Sequence, residues 1–167
     1  LARTGLNSKQ VLPYYQKAVK LEPSNSRVLR ELASTYYDIG EKEEAITIFT
    51  NAISNEVDRT VKADLYYNLG VIYTQMKNYE QADSSFEAAI YENDQDYEAM
   101  LGVVNAYDNI AYEFSQDQQY ENAYLWYRKA YRKLNELKIM DDGNEALYSK
   151  KLKVLKQRRD YAEGQIK

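Results

Sequence analysis

Several short arrangements in the sequence carry groups that could do chemistry. Asp141-Asp142-Gly143-Asn144-Glu145 gathers oxygen donors around a glycine, as a calcium loop does. It lacks the alternating Asp-x-Asp-x-Asp-Gly spacing that arranges ligands around one ion, so it reads as a polar turn between helices. Glu43 and Glu44 could share acid–base work, but they fall at a helix opening with no pocket implied and read as a solvated face. The pairs Tyr14/Tyr15, Tyr36/Tyr37 and Tyr66/Tyr67 offer planes on which a base or a sugar could stack. The periodicity described below assigns one ring of each pair largely to helix packing. Lys150, Lys151, Lys153, Lys156, Arg158 and Arg159 could meet phosphates, yet the rest of the chain is acidic, and no nucleic-acid partner is expected.

Composition removes much of the remaining chemistry. The chain has 167 residues, 0 Cys and 0 His. Structural zinc sites, disulfides, thiol nucleophiles and Ser–His or Cys–His arrangements are excluded, and no metal or cofactor is expected. The length suits one domain with one sizeable core. Mean hydropathy is −0.73, and no run approaches the ~18 apolar residues of a membrane helix, so this segment is not expected to insert into a bilayer. The chain starts at Leu1 without a visible signal peptide and is read as cut from something longer. The lack of Cys fits a cytoplasmic or a bacterial periplasmic setting alike.

Charge is segregated along the chain. Residues 1–77 hold 10 basic and 9 acidic side chains, residues 78–127 hold 11 acidic and none basic, and residues 128–167 hold 12 basic and 6 acidic. Such blocks read either as solvated helix faces or as an electrostatic surface for a partner or a second copy.

The elements that position these groups are helices. Apolar residues recur at spacings of three and four almost throughout, and with 2 Pro and 6 Gly there are too few turn residues for a strand protein. Breaks fall at Pro23, Gly40, near Asp58, near Asn78, at Asn93–Asp96, at Gln116–Gln119 and at Asp141–Asn144. Pro13 is expected early in its helix, where a missing N–H costs little. Leu1 to Gly5 reads as the last turn of an earlier helix ending in a glycine stop. A final helix over about Glu145–Glu163 has an apolar stripe of Tyr148, Leu152, Leu155 and Ala162 and otherwise wet faces, as an end cap needs.

The pattern repeats. Leu29, Leu32, Ala33, Tyr36, Ala45, Phe49 and Ala52 recur 37 residues later as Tyr66, Leu69, Gly70, Tyr73, Ala82, Phe86 and Ala89, with the same internal spacing. A third set, Met100, Val103, Val104, Tyr107, Ala123, Tyr127 and Ala130, carries seven extra residues after Tyr107. Val11, Tyr15, Ala18 and Pro23 match only the second half. This pattern resembles the tetratricopeptide repeat family of helix–turn–helix units. The implied fold is all-α: a right-handed α-solenoid of about three and a half repeats, with a partial repeat at 1–24, repeats at 26–59, 63–96 and 97–137, and a capping helix at 144–164. Small residues such as Ala33, Gly70, Ala45 and Ala82 then mark the close helix crossings.

The resemblance also implies a function. In this family the first helix of each repeat lines a concave groove that receives an extended peptide. The groove would show Arg27, Arg30, Ser34, Tyr37 and Asp38, then Tyr67, Asn68, Val71, Thr74 and Gln75, then Leu101, Asn105, Asp108 and Asn109. The family's carboxylate clamp for chaperone C-termini is not expected. Arg30 and Asn68 fit it, but Ser34, Leu101 and Asn105 stand where it needs an amide and two cations. The extra residues predict a longer helix pair protruding as a ridge, with Tyr112 or Phe114 packed near Tyr120 or Tyr124 or on a partner. The function implied is a non-catalytic scaffold for a protein or peptide. The alternatives are a self-assembly module using the charge-segregated ends, giving a homo-oligomer, and a helper domain of a larger enzyme or anchored protein.

Overall fold

The structure, a computed structural model, describes residues 7–166. Among them are eight α-helices and no strand: α1 (Ser8–Leu21), α2 (Ser26–Asp38), α3 (Lys42–Asn55), α4 (Arg59–Gln75), α5 (Tyr79–Glu92), α6 (Tyr97–Gln116), α7 (Tyr120–Met140) and α8 (Glu145–Gln165). The gaps between them coincide with the breaks marked by Pro23, Gly40, Asp58, Asn78, Asn93–Asp96, Gln116–Gln119 and Asp141–Asn144. The expected all-α architecture of packed helix pairs is what is found. The expected helix end at Leu1 to Gly5 lies outside the described residues.

Local chemistry explains the boundaries. Asn25, Asp58 and Asp96 cap α2, α4 and α6 by accepting backbone N–H groups of the first turn, for example Ala99 N at 2.8 Å from Asp96 Oδ1. Asn7 caps α1 reciprocally with Gln10. Pro13 corrects an expectation. It lies inside α1, which starts at Ser8, so its missing N–H leaves the Lys9 carbonyl without the usual helical donor.

The turns inside the three pairs α2–α3, α4–α5 and α6–α7 share one design. Gly40, Lys77 and Gln118 take positive φ of 93°, 57° and 57°. The next residue's N–H bonds the carbonyl five residues back, Glu41 to Tyr36, Asn78 to Tyr73 and Gln119 to Phe114, each at 2.9 Å. The seven extra residues therefore sit before the turn, as sequence spacing predicts. α6 runs through Ala111 to Gln116, and Phe114 takes the place at the turn that Tyr36 and Tyr73 hold in the shorter pairs.

The chain forms two compact units, residues 1–93 and 94–167. In the first, Leu29, Ala33, Ala45, Phe49, Ala52, Leu65, Leu69 and Ile72 make a core. The close crossing of α4 and α5 is tight: a Cβ added at Gly70 would lie 2.6 Å from the Phe86 ring. In the second unit the repeat residues Val103, Val104, Ala123 and Ala130 are fully buried, and Tyr107 packs 5.4 Å from Trp126. α8 buries Tyr148, Leu152, Leu155 and Ala162, the stripe expected for it.

Candidate functional site

In the first unit the expected groove residues lie along α2 and α4, and none of them is in the core. Arg30 reaches across to Asp64 (Nη1 to Oδ2, 2.8 Å) and also meets Glu31 at 3.2 Å, so its charge is already compensated. Tyr37 meets the Gln75 side chain; burial pushes its phenol up, the Gln75 hydrogen bond works the other way, and the Asp38 charge adds to the rise. Asn68 Nδ2 donates to the Asp64 carbonyl at 2.7 Å, and Thr74 Oγ1 to the Gly70 carbonyl at 2.9 Å. Ser8 Oγ donates to Asp38 Oδ2 at 3.0 Å. Tyr67 is less free than the repeat pattern implies, because its ring packs 5.7 Å from Phe86 and burial raises its phenol. Arg27 is exposed, and Ser34 and Val71 are half-buried.

In the second unit Asn105 and Asn109 of α6 are exposed and Leu101 is half-buried. Asp108 is held by α8: Arg158 Nη1 lies 2.7 Å from both its carboxylate oxygens. That hydrogen bond raises the guanidinium further above its ordinary range and fixes it in the charged form. Beside this pair opens a cleft of about 320 Å³, lined by Tyr112, Ser115, Gln116, Tyr127, Gln157, Arg158 and Tyr161. The Tyr112 ring lies 6.0 Å from the Arg158 guanidinium, and Tyr120 meets Tyr161 edge-on at 6.3 Å. Tyr112 and Tyr127 thus line the same cleft, and Phe114 is half-buried at the turn. Burial is the main cause that raises the Tyr127 phenol.

None of Tyr127, Gln157, Arg158 and Tyr161 is expected at a protein-binding site: Tyr127 of α7 belongs to the repeat's packing set, and α8, which carries the other three, reads as an end cap. A signal was present. Its buried residues 148, 152 and 155 repeat the spacing of Leu65, Leu69 and Ile72 on α4. That register sets Lys150, Lys151, Val154, Gln157 and Arg158 where α4 carries Tyr67, Asn68, Val71, Thr74 and Gln75. The calcium-like turn has an internal explanation. Asp141 accepts from Gly143 N, Asn144 Nδ2 and the Tyr148 hydroxyl, and among the described residues no cluster suited to a metal ion occurs.

Residues 28–60 and 63–96 each match a family model described as tetratricopeptide repeat. The chain is a tetratricopeptide repeat protein. Solved structures of the same fold include a crystal structure of MamA, 19% identical, covering 95% of this chain and 88% of that one with a TM-score of 0.55. Another is a tetratricopeptide repeat protein from Parabacteroides merdae, 19% identical, covering 93% and 78% with a TM-score of 0.52. A curated relative, the uncharacterized protein ycf37 of Guillardia theta, is 36% identical over 74 residues. This tetratricopeptide repeat protein spans 40% of that relative's length. The matched tetratricopeptide repeats support, in general terms, a protein-interaction scaffold. No helix among the described residues is long and apolar enough to cross a membrane.

Proposed function

We propose that the chain binds an extended protein segment on the faces of its first helices and performs no catalysis of its own. The observation that supports this is the makeup of the α2–α4 face. Tyr37, Tyr67, Asn68, Val71 and Gln75 are kept out of the core there, and they are side chains that give contact area and hydrogen bonds at modest entropy cost. Arg30 is compensated by Asp64, so affinity on this face comes from shape and hydrogen bonding more than from net charge. The test is crosslinking from a photoreactive residue placed at Val71, with one at the loop residue Val57, 90% exposed, as the control. The captured segment is then titrated against variants. Asn68→Ala, alone and with Tyr67→Ala, should weaken it by about 1–3 kcal/mol with the fold retained. Equal labelling from both positions, or undiminished affinity in both variants, would refute the reading. Melting is followed for the double variant because Tyr67 leans on Phe86.

A further inference from the structure

We propose that the outward face of α8, with the cleft beside it, is a seat for an acidic protein segment bearing apolar side chains. Leu147, Val154 and Tyr161 lie seven residues apart on α8 and are 49%, 39% and 57% exposed. Seven residues are two turns, so the three form one line along the helix about 20 Å long. The line ends at the cleft between Tyr112 and Tyr161, whose volume of about 320 Å³ admits one large apolar side chain.

Charge selects the occupant. Lys150, Lys151, Lys153 and Lys156 make no ion pair among the described residues, whereas Arg158 and Arg159 of the same helix are matched by Asp108 and Asp160. Lys150 borders the apolar line on one side and Lys151 on the other. A segment that places carboxylates along both borders and apolar groups between them satisfies Lys150, Lys151 and the apolar line at once, while Lys153 and Lys156 lie farther round the helix and add only to the positive field. A second copy fits less well: the acid-rich helices α5 and α6 bury Ala82 and Phe86 on one and Met100 and Tyr107 on the other, and each leaves one large ring exposed, Tyr91 and Tyr112, too little to cover a line of three apolar residues. Two α8 helices would set lysine against lysine. A bilayer surface fits less well too, since it takes a broad apolar face and here there is one narrow line. Arg158, clamped by Asp108, is a fixed wall of the seat and not its free cation.

This inference rests on the scaffold reading, but it is read out on α8 alone. The probe is a labelled glutamate-rich peptide carrying one leucine and one phenylalanine, titrated against the full chain by fluorescence anisotropy. Binding should weaken at least tenfold in Lys150→Glu/Lys151→Glu and again in Val154→Ser, with helix content and melting unchanged, and should fade as salt is raised to about 0.5 M. Equal binding of a peptide with every glutamate replaced by lysine would overturn it. So would retention by phosphatidylserine vesicles in place of the peptide, or self-association abolished by the α8 variants. If a captured partner depends on Asn68 while no acidic peptide responds to the α8 variants, the seat is wrong and the scaffold reading stands. If the acidic peptide responds to the α8 variants while the captured partner ignores Asn68, the seat stands and the first-unit site is wrong.

Discussion

A side chain's size and its one polar atom decide most of what happens in this molecule. The small residues were legible from spacing alone, because Ala33, Gly70, Ala45, Ala82 and Ala123 recur where helices must approach, and all of them are buried. Gly70 makes the point quantitatively. An alanine there gains about 1 kcal/mol of helix propensity, but its Cβ would sit 2.6 Å from a fully buried Phe86 ring. Overpacking of that kind costs about 1–3 kcal/mol, so Gly70→Ala and Ala82→Leu should both lower the melting temperature. Unchanged melting for both would break the register. The polar pairs were not legible. Arg158 and Asp108 are fifty residues apart, and apolar periodicity says nothing about which charges meet.

Tyr148 is the second residue-scale case. Its hydroxyl donates to Asp141 Oδ2 at 2.5 Å, and burial, then this bond and the Asp141 charge, push its phenol up to about 12. A phenol raised in the folded state stabilises fully below its ordinary value near 10 and loses that contribution as pH climbs toward 12. Asp141 works at the other end. The Tyr148 bond, then those of Asn144 and Gly143, hold its carboxyl below the usual carboxylate range, so its contribution is full above the ordinary carboxylate value of about 4 and is lost as pH falls from there through the lowered folded one. Stability measured by urea titration should therefore fall between about pH 10 and 12, and Tyr148→Phe should flatten that fall. An identical slope in the variant would show that the alkaline loss arises elsewhere.

At the scale of elements, helix lengths and breaks were readable because helix starts and stops have local causes. Asp96 caps α6, and Pro23 stands in the gap before α2. The length of α6 followed from counting seven added residues, whereas α7 gains its extra length beyond Ala130, where the repeat pattern is silent. What could not be read was that Lys77 and Gln118 take the left-handed conformation that Gly40 takes in the first turn, since neither residue type signals it. A side chain in that conformation costs about 1–2 kcal/mol, part of which a glycine returns as unfolded-chain entropy. Gln118→Gly should then raise stability by roughly 0.5–1 kcal/mol, and Gly40→Ala should lower it by about 1 kcal/mol, both by chemical denaturation. A destabilised Gln118→Gly would mean that this side chain holds the turn in some other way. The buried stripe of α8 was likewise readable, Tyr148, Leu152, Leu155 and Ala162, whereas its exposed apolar residues Leu147, Val154 and Tyr161, on which the proposed seat rests, fall outside the repeat pattern and carried no signal.

At the scale of the whole molecule, the charge blocks look different once the chain is divided as it folds. The acidic stretch 78–127 is shared between the units: the first holds ten basic and thirteen acidic side chains, the second twelve and thirteen. Each unit is close to neutral, and ion pairs such as Arg59–Glu92 in the first and Arg158–Asp108 in the second join the opposite signs internally. Each also buries its own apolar set, Phe49, Leu65 and Ile72 in one, Ile110, Leu134 and Leu155 in the other. In a repeat chain stability is a sum of local terms, so a defect in one unit should be felt there first. Trp126 is the single tryptophan and lies in the second unit, so its emission reports on that unit alone, whereas ellipticity counts every helix. Leu155→Ala, at a fully buried site on α8, should cost about 2–5 kcal/mol. The expected outcome in urea is an early Trp126 transition, with the helices of the first unit persisting to the wild-type midpoint. If the two probes of this variant still coincide across the whole curve, the units unfold as one body and stability is not local.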